Sequence, residues 1–153
     1  DFTNDFTISC WIYLPKGATI SEGNSSYLFG TTTADSCNNG FRITFRKTNY
    51  GYGFNVGSSA SDALLTYSDR ISAESWHNVV LVRDGNNLLL YIDGYLTSTT
   101  ILSEDASFTS SSLCFGAYIG EKWNYHNDVI AFDNIMVCDK AIDSNGVSII
   151  YLI

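Results

Sequence analysis

The chain has 153 residues, 45% of them hydrophobic and 14% aromatic, which suffices for one domain burying about 70% of its unfolded surface. Its 16 acidic residues outnumber 8 basic ones for a net charge of -8, and no Lys/Arg cluster tracks phosphates, so nucleic acid is excluded as an expected partner. No apolar run approaches the roughly 18 residues of a membrane helix, and Asp1 to Asp5 lacks the basic start and apolar stretch of a secretion signal; insertion in a membrane is not expected.

Phe6 to Leu14 alternates, with Phe6, Ile8, Cys10, Ile12 and Leu14 on one face and Thr7, Ser9, Trp11 and Tyr13 on the other. That is a strand with an apolar and a mixed face. Trp11 and Tyr13 either form an aromatic platform there or pack on neighbouring strands. Pro15-Lys16-Gly17 ends the strand, residues 21–26 are polar, and Tyr27 to Thr31 reads as the next. Phe41 to Arg46 alternates cleanly, so its aromatic face is expected inside and Arg42 and Arg46 in solvent. Asn49 to Gly53 reads as a glycine-rich turn leading into Phe54-Asn55-Val56.

Further strands follow at Leu64 to Tyr67, and then at Trp76 to Asp84 and Leu88 to Ile92, both closed by Asp-Gly pairs that tolerate the positive φ of tight hairpins. With Tyr95 to Ile101 they form an antiparallel meander. Leu113 to Gly116 and Ile130 to Cys138 complete the strands, and Asp143 is placed to cap a short helix through Val147 and Ile149 toward Tyr151. The class is all-β, with strands at the spacing of an antiparallel β-sandwich.

Cys10, Cys37, Cys114 and Cys138 have no metal-ligand spacing, and three disulfide connectivities are open. Cys10, in step with the apolar face of its strand, suits a buried free thiol.

Three separated segments resemble the laminin-G-like, concanavalin A-like jelly-roll domains: Asp5 to Trp11, Trp76 to Gly94 with its Trp-His and Leu-Tyr-Ile-Asp-Gly wording, and Phe132 to Asp143. They span nearly the whole chain, 1–153, in the right order. The resemblance implies a single concanavalin A-like jelly-roll sandwich, part of a larger protein and located outside the cell, at a cell surface or on a virion. Members of that group usually carry another strand before Phe6. The present chain is therefore expected to lack it or to complete the sheet differently, and an unpaired edge would invite strand addition from another chain or a parent domain.

Some jelly rolls of this group are glycoside hydrolases, which need two carboxylates close together. Glu22, Glu74, Glu104 and Glu121 are instead scattered through loops. His77 and His126 are the only histidines, and neither adjoins a Gly-x-Ser-x-Gly nucleophile motif. The expectation is a module that is not an enzyme.

Ligand chemistry is richest in Gly120 to Asp128, where Trp123, Asn124, Tyr125, Asn127 and Asp128 combine rings for the C–H face of a sugar with groups that hydrogen-bond its hydroxyls. Packing over the end of the sandwich is the alternative for this loop. Tyr50 and Tyr52, beside glycines, form a second candidate, with a plain hairpin turn as its alternative. Many relatives hold calcium, and the resemblance places an acidic ligand at Asp133, although calcium wants six to eight oxygens. The expected function is binding of a glycan on a cell surface or polysaccharide. The competing one is a structural or adhesion domain that contacts protein.

Overall fold

The computed structural model describes residues 2–15, 25–31, 40–48, 51–58, 61–68, 71–102, 108, 112–116 and 130–153. Within them the strands are β1 (Phe6–Tyr13), β2 (Ser25–Gly30), β3 (Phe41–Thr48), β4 (Gly51–Ser58), β5 (Ser61–Ser68), β6 (Trp76–Asp84), β7 (Asn87–Ile92), β8 (Tyr95–Ile101), β9 (Cys114–Phe115) and β10 (Ala131–Cys138), followed by helix α1 (Ser144–Leu152). Two antiparallel five-stranded sheets result, ordered β10-β1-β6-β7-β8 and β5-β4-β3-β2-β9. The meander is present as β6-β7-β8. Strand β1 is not an edge: β10 pairs with one side and β6 with the other.

Alternation in β1 places Phe6, Ile8, Cys10 and Ile12 in the core between the sheets, with Val79 and Leu81 from β6 and Leu90 and Ile92 from β7. Phe29, Phe41, Ile43, Phe45 and Phe54 come from the opposing sheet. Phe41 is the hub of the aromatic packing, stacked on Phe6 at 5.0 Å and edge-on to Phe108 at 5.3 Å and Phe2 at 5.7 Å. Such offset and T-shaped pairs add to the area term.

Val79-Val80-Leu81-Val82 does not alternate because both of its faces are covered. Val80 and Val82 point outward onto α1 and form a second cluster with Tyr91 and Val147. The helix begins as the Asp143 cap predicts, with the Gly146 N–H donating to Asp143 Oδ1 at 2.8 Å. It is held down from the strand side by Thr7, whose hydroxyl donates to Lys140 O at 2.7 Å and accepts from the Ile142 N–H at 3.1 Å. Trp11 and Tyr13 pack on neighbours: Trp11 stacks on Tyr151 at 5.7 Å and Tyr13 tilts against Trp76 at 5.4 Å.

Three local expectations change. Arg42 is half-buried and Thr44 buried, so this outer face is covered where solvent was expected; the Arg46 side chain lies outside the description. Strand pairing continues through the glycines after residue 50, with Tyr52 opposite Lys47 and Ser68; Tyr52 thus belongs to a central strand, not to a turn. In the first hairpin the two-residue loop is Gly85-Asn86, with φ of +56° at Gly85, whereas the second is Asp93-Gly94 as read, both at positive φ.

Cys10 is a fully buried free thiol, and Cys114 and Cys138 are also free; Cys37 lies outside the described residues. Burial pushes the Cys10 thiol up from 9.0 to about 12. Above pH 9 the unfolded chain gives up a proton that the folded chain retains, so stability is unaffected by this group below that pH and falls above it, by about 1.4 kcal/mol per pH unit, until the folded thiol also ionises. Urea midpoints taken between pH 8 and 11 should show this decline, and Cys10→Ala should flatten it.

Candidate functional site

Pairing of Asp84 with Asn87 sets the register of the β6-β7 hairpin and carries Asp93, just past β7, level with Asn78. Asp93 then serves three neighbours. Its Oδ1 accepts from the Asn78 N–H at 2.8 Å, its Oδ2 lies 2.7 Å from His77 Nδ1, and its own N–H donates to Asn78 O at 2.9 Å. The other face of the His77 ring meets Ser72: Nε2 accepts the Ser72 N–H at 3.1 Å and lies 3.2 Å from Ser72 O and 3.4 Å from Ser72 Oγ. Sequence reading found no Gly-x-Ser-x-Gly motif beside His77, and the fold sets the nearby Ser72 against its ring.

The chemistry of this cluster is that of a clasp. The Nε2 lone pair that would have to take a hydroxyl proton is held by the backbone N–H of the same serine, and the imidazole is only 6% exposed. If the ring is protonated, Nε2 has Ser72 O as its acceptor, so both charge states of the ring find partners. His77 thereby ties the segment before β6 to the Asp93-Gly94 turn. That turn in turn carries the end of the helix, because Gly94 faces the Tyr151 ring.

On the outer face of the same sheet, between the β6-β7 hairpin and the β10-α1 connection, lies a cavity of about 560 Å³. Its floor is apolar, built from Val82, Leu89 and Ile142, and Tyr91 lines it as well. Asp5, Asp84, Asp139 and Asp143, all exposed, surround it with Lys140. Asp5 is fixed in place through Oδ1, which accepts the Gly85 N–H at 2.8 Å, and Asp143 through its helix cap. A smaller cavity of about 410 Å³ adjoins it and shares Asp5 and Asp139. Burial, and then the charges of Asp143 and Asp84, raise the Tyr91 phenol above its ordinary range, so it is a neutral hydroxyl at physiological pH. Beneath the hairpin Arg83, drawn inward, spans the end of the core, donating to Phe2 O at 3.1 Å and to Gly85 O at 3.2 Å with its guanidinium 4.8 Å from the centre of the Phe108 ring.

A sequence profile for the concanavalin A-like lectin/glucanases superfamily, the Laminin_G_3 family, matches residues 1–148. The chain belongs to this family. No curated protein sequence matches it. Among solved structures, this laminin-G-like chain is similar to the receptor-binding domain of botulinum neurotoxin D (19% identity, 97% of this chain and 37% of that one, TM-score 0.71). It is also similar to a heptameric SAP-like pentraxin from Limulus polyphemus (17% identity, 95% and 69% covered, TM-score 0.72). A third is Trypanosoma rangeli sialidase in complex with 2,3-difluorosialic acid (15% identity, 99% and 23% covered, TM-score 0.74). At these identities the likeness is one of fold. The family domain spans about a third of the botulinum chain and less of the sialidase.

Within the family fold, the segment that carries Trp123, Asn124, Tyr125, Asn127 and Asp128 lies outside the described residues, as do Tyr50 and His126. Of the described strands, β9 and β10 each stand at one edge of their sheet, and their Phe115 and Phe132 rings meet at 6.1 Å. For Tyr52 only the backbone is described. Asp133 is exposed on β10 opposite Trp11, beside a bulge, and its Oδ1 accepts the N–H of Asn134, a residue at φ of +47°. Among the described residues no three His, Cys, Asp or Glu side chains are grouped to hold a metal ion. The features that sequence reading missed are the Asp93 partnership of His77 and the four-aspartate cavity. The first was accessible from hairpin register, whereas the second had no local signal.

Proposed function

We propose that this domain is a non-catalytic recognition module for glycans on a cell surface or polysaccharide, outside the cell, with Trp123 and Tyr125 as the rings that cover the sugar. Membership of a lectin/glucanase superfamily carries this reading. It is supported by the composition of residues 120–128. A structurally similar botulinum neurotoxin serotype D ligand-binding domain has been solved in complex with N-acetylneuraminic acid (18% identity, TM-score 0.70), which makes sialylated glycans a sensible first set of probes. Shallow single-site binding would be strengthened by several linked copies.

The test is a multivalent glycan array probed with and without calcium. Selective retention is expected, and Trp123→Ala with Tyr125→Ala should reduce it by about ten-fold or more, each ring–sugar contact being worth up to about 1 kcal/mol, while the circular dichroism spectrum stays unchanged. Loss on chelation, reproduced by Asp133→Asn, would support a calcium ion held at Asp133 together with other oxygens. Retention indifferent to both ring substitutions would exclude this segment as the site.

A second reading, a structural or adhesion domain that contacts protein, is favoured by one observation. Ile149, Leu152 and Ile153 of the helical end are 62 to 87% exposed, and Ile135 and Val137 on edge strand β10 about half-exposed. Side chains of this kind gain by burial against a partner. A blank array from a well-folded, multivalent sample would favour it.

A further inference from the structure

The first turn of α1 carries a pair of residues with a chemistry of its own, Asn145-Gly146. Glycine weakens a helix relative to alanine, yet packing demands it here. A Cβ at Gly146 would collide with Ile142 Cγ2, and Ile142 is packed against the cluster of Val80, Val82, Tyr91 and Val147, with little room to give way. Asn145, by contrast, is exposed, so solvent reaches its carboxamide. In an Asn-Gly pair no Cβ hinders the glycine amide nitrogen from approaching the asparagine Cγ, and closure to a five-membered imide is the reaction open to it. The fold opposes that reaction twice. The Gly146 N–H, whose nitrogen is the nucleophile, donates to Asp143 Oδ1 at 2.8 Å. The Val147 N–H donates to Asp143 O at 2.9 Å and Ser148 Oγ to Ser144 O at 2.9 Å, which holds the turn helical; the backbone has to unwind at Asn145 before nitrogen and Cγ are aligned.

We propose that Asn145 is a site of spontaneous deamidation, held latent by the Asp143 cap. When the turn frays, a solvent base takes the Gly146 N–H proton and the nitrogen electron pair attacks Asn145 Cγ. The bond from Cγ to the side-chain nitrogen breaks, and that nitrogen leaves as ammonia with a proton from water. Water then adds to one carbonyl of the cyclic imide, and the C–N bond at that carbon breaks. Opening at Cγ leaves aspartate at position 145, and opening at the backbone carbonyl carbon leaves isoaspartate, with the chain routed through Cβ and Cγ. No oxidant or reductant takes part. The two products act on the helix in opposite directions. Aspartate adds a negative charge to a first turn that has none of its own, where the helix dipole favours it. Isoaspartate lengthens the main chain by one carbon, draws the Gly146 N–H off its cap and moves Val147 out of register with Val80 and Val82. The site is independent of the proposed glycan segment.

Timed incubation of the 153-residue chain at mildly alkaline pH, followed by peptide mapping with mass spectrometry, tests the proposal. Asn39-Gly40, the other Asn-Gly pair of the sequence, serves as an internal comparator. In the urea-unfolded chain the two pairs should convert at comparable rates. In native buffer position 145 should convert more slowly than it does in urea, and Asp143→Ala should speed it about five-fold, the weight of a lost N-cap. Asp143→Asn, which caps a helix as well as aspartate does, should leave it slow. Asn145→Gln, whose longer side chain does not close the five-membered ring, should abolish conversion there. Equal native rates for the wild-type chain and Asp143→Ala would overturn the proposal, as would absence of conversion at 145 in both while the unfolded chain reacts. Acceleration at Asn39 equal to that at Asn145, or a lost circular dichroism spectrum in Asp143→Ala, would assign the effect to unfolding of the whole domain and overturn the role of the cap.

Discussion

Phe41→Ala should lower the free energy of unfolding by about 3 to 5 kcal/mol, the range for removing a fully buried phenylalanine from a core that collapses only in part. Phe41 is fully buried and meets Phe2, Phe6 and Phe108. Phe6 comes from the opposite sheet, so the truncated site would be walled by both sheets and could not close by moving one strand. Phe41→Leu, which retains most of the volume, should cost about 1 to 1.5 kcal/mol. Urea denaturation with an unchanged dependence on denaturant would attribute both losses to native packing. A loss below about 1 kcal/mol for the alanine variant would mean that the two sheets are less tightly apposed around this ring than the geometry indicates.

Asp93→Ala should cost about 3 kcal/mol, because it strands the Asn78 N–H and the His77 ring N–H together, each worth about 1 to 3 kcal/mol when buried without a partner. It also places alanine at φ of +51°, a conformation in which aspartate and asparagine are far better tolerated. Asp93→Asn separates these contributions. Asparagine keeps the left-handed turn and can still accept from Asn78, and the His77 ring can adapt by moving its proton to Nε2 and donating to Ser72 O, 3.2 Å away. A cost of about 1 kcal/mol is therefore expected for the asparagine variant. Equal costs for the two variants would show that charge on Asp93, not hydrogen-bond geometry or backbone conformation, holds the clasp. Because Gly94 carries the Tyr151 ring and Tyr151 stacks on Trp11, the alanine variant should also loosen the end of the helix, seen as faster amide exchange in Val147 to Leu152.

Strand identity was legible wherever one face of a strand is buried and the other is not. In β1 the register of Phe6, Ile8, Cys10 and Ile12 could be read directly, and the free buried thiol followed from it. In β6 the continuous run Val79 to Val82 gave strand type but not the reason for the missing alternation, which is the helix on the outer face. Arg83, beside the first turn, is 8% exposed because Phe2 O, Gly85 O and the Phe108 ring receive its guanidinium, and nothing in its local sequence marks that burial. The turn reading at Tyr52 failed because a glycine-rich stretch can remain in a ladder when both neighbouring strands supply partners, and Arg42, placed in solvent from alternation alone, is half-buried.

The candidate sites divide in the same way. Trp123, Asn124, Tyr125, Asn127 and Asp128 were chosen on side-chain chemistry, which a sequence displays, and they remain the basis of the proposed glycan reading. The His77 clasp needed only one further step, since the pairing of Asp84 with Asn87 already carries Asp93 to Asn78. No such step existed for the cavity above Tyr91, whose aspartates at positions 5, 84, 139 and 143 converge only because β10 and β6 flank β1 and the helix folds back over the sheet.

By itself, the sequence determined the all-β class, the meander, the helix cap at Asp143 and membership of a lectin-like superfamily, because each is encoded in local periodicity, turn chemistry or motif wording that neighbouring residues set without help. Tertiary structure alone decided which carboxylates share a cavity, which histidine nitrogen faces Ser72 and why Arg83 is buried. Those are properties of strand order and sheet cover, and they depend on contacts across as many as 130 or more residues, as between Thr7 and Ile142.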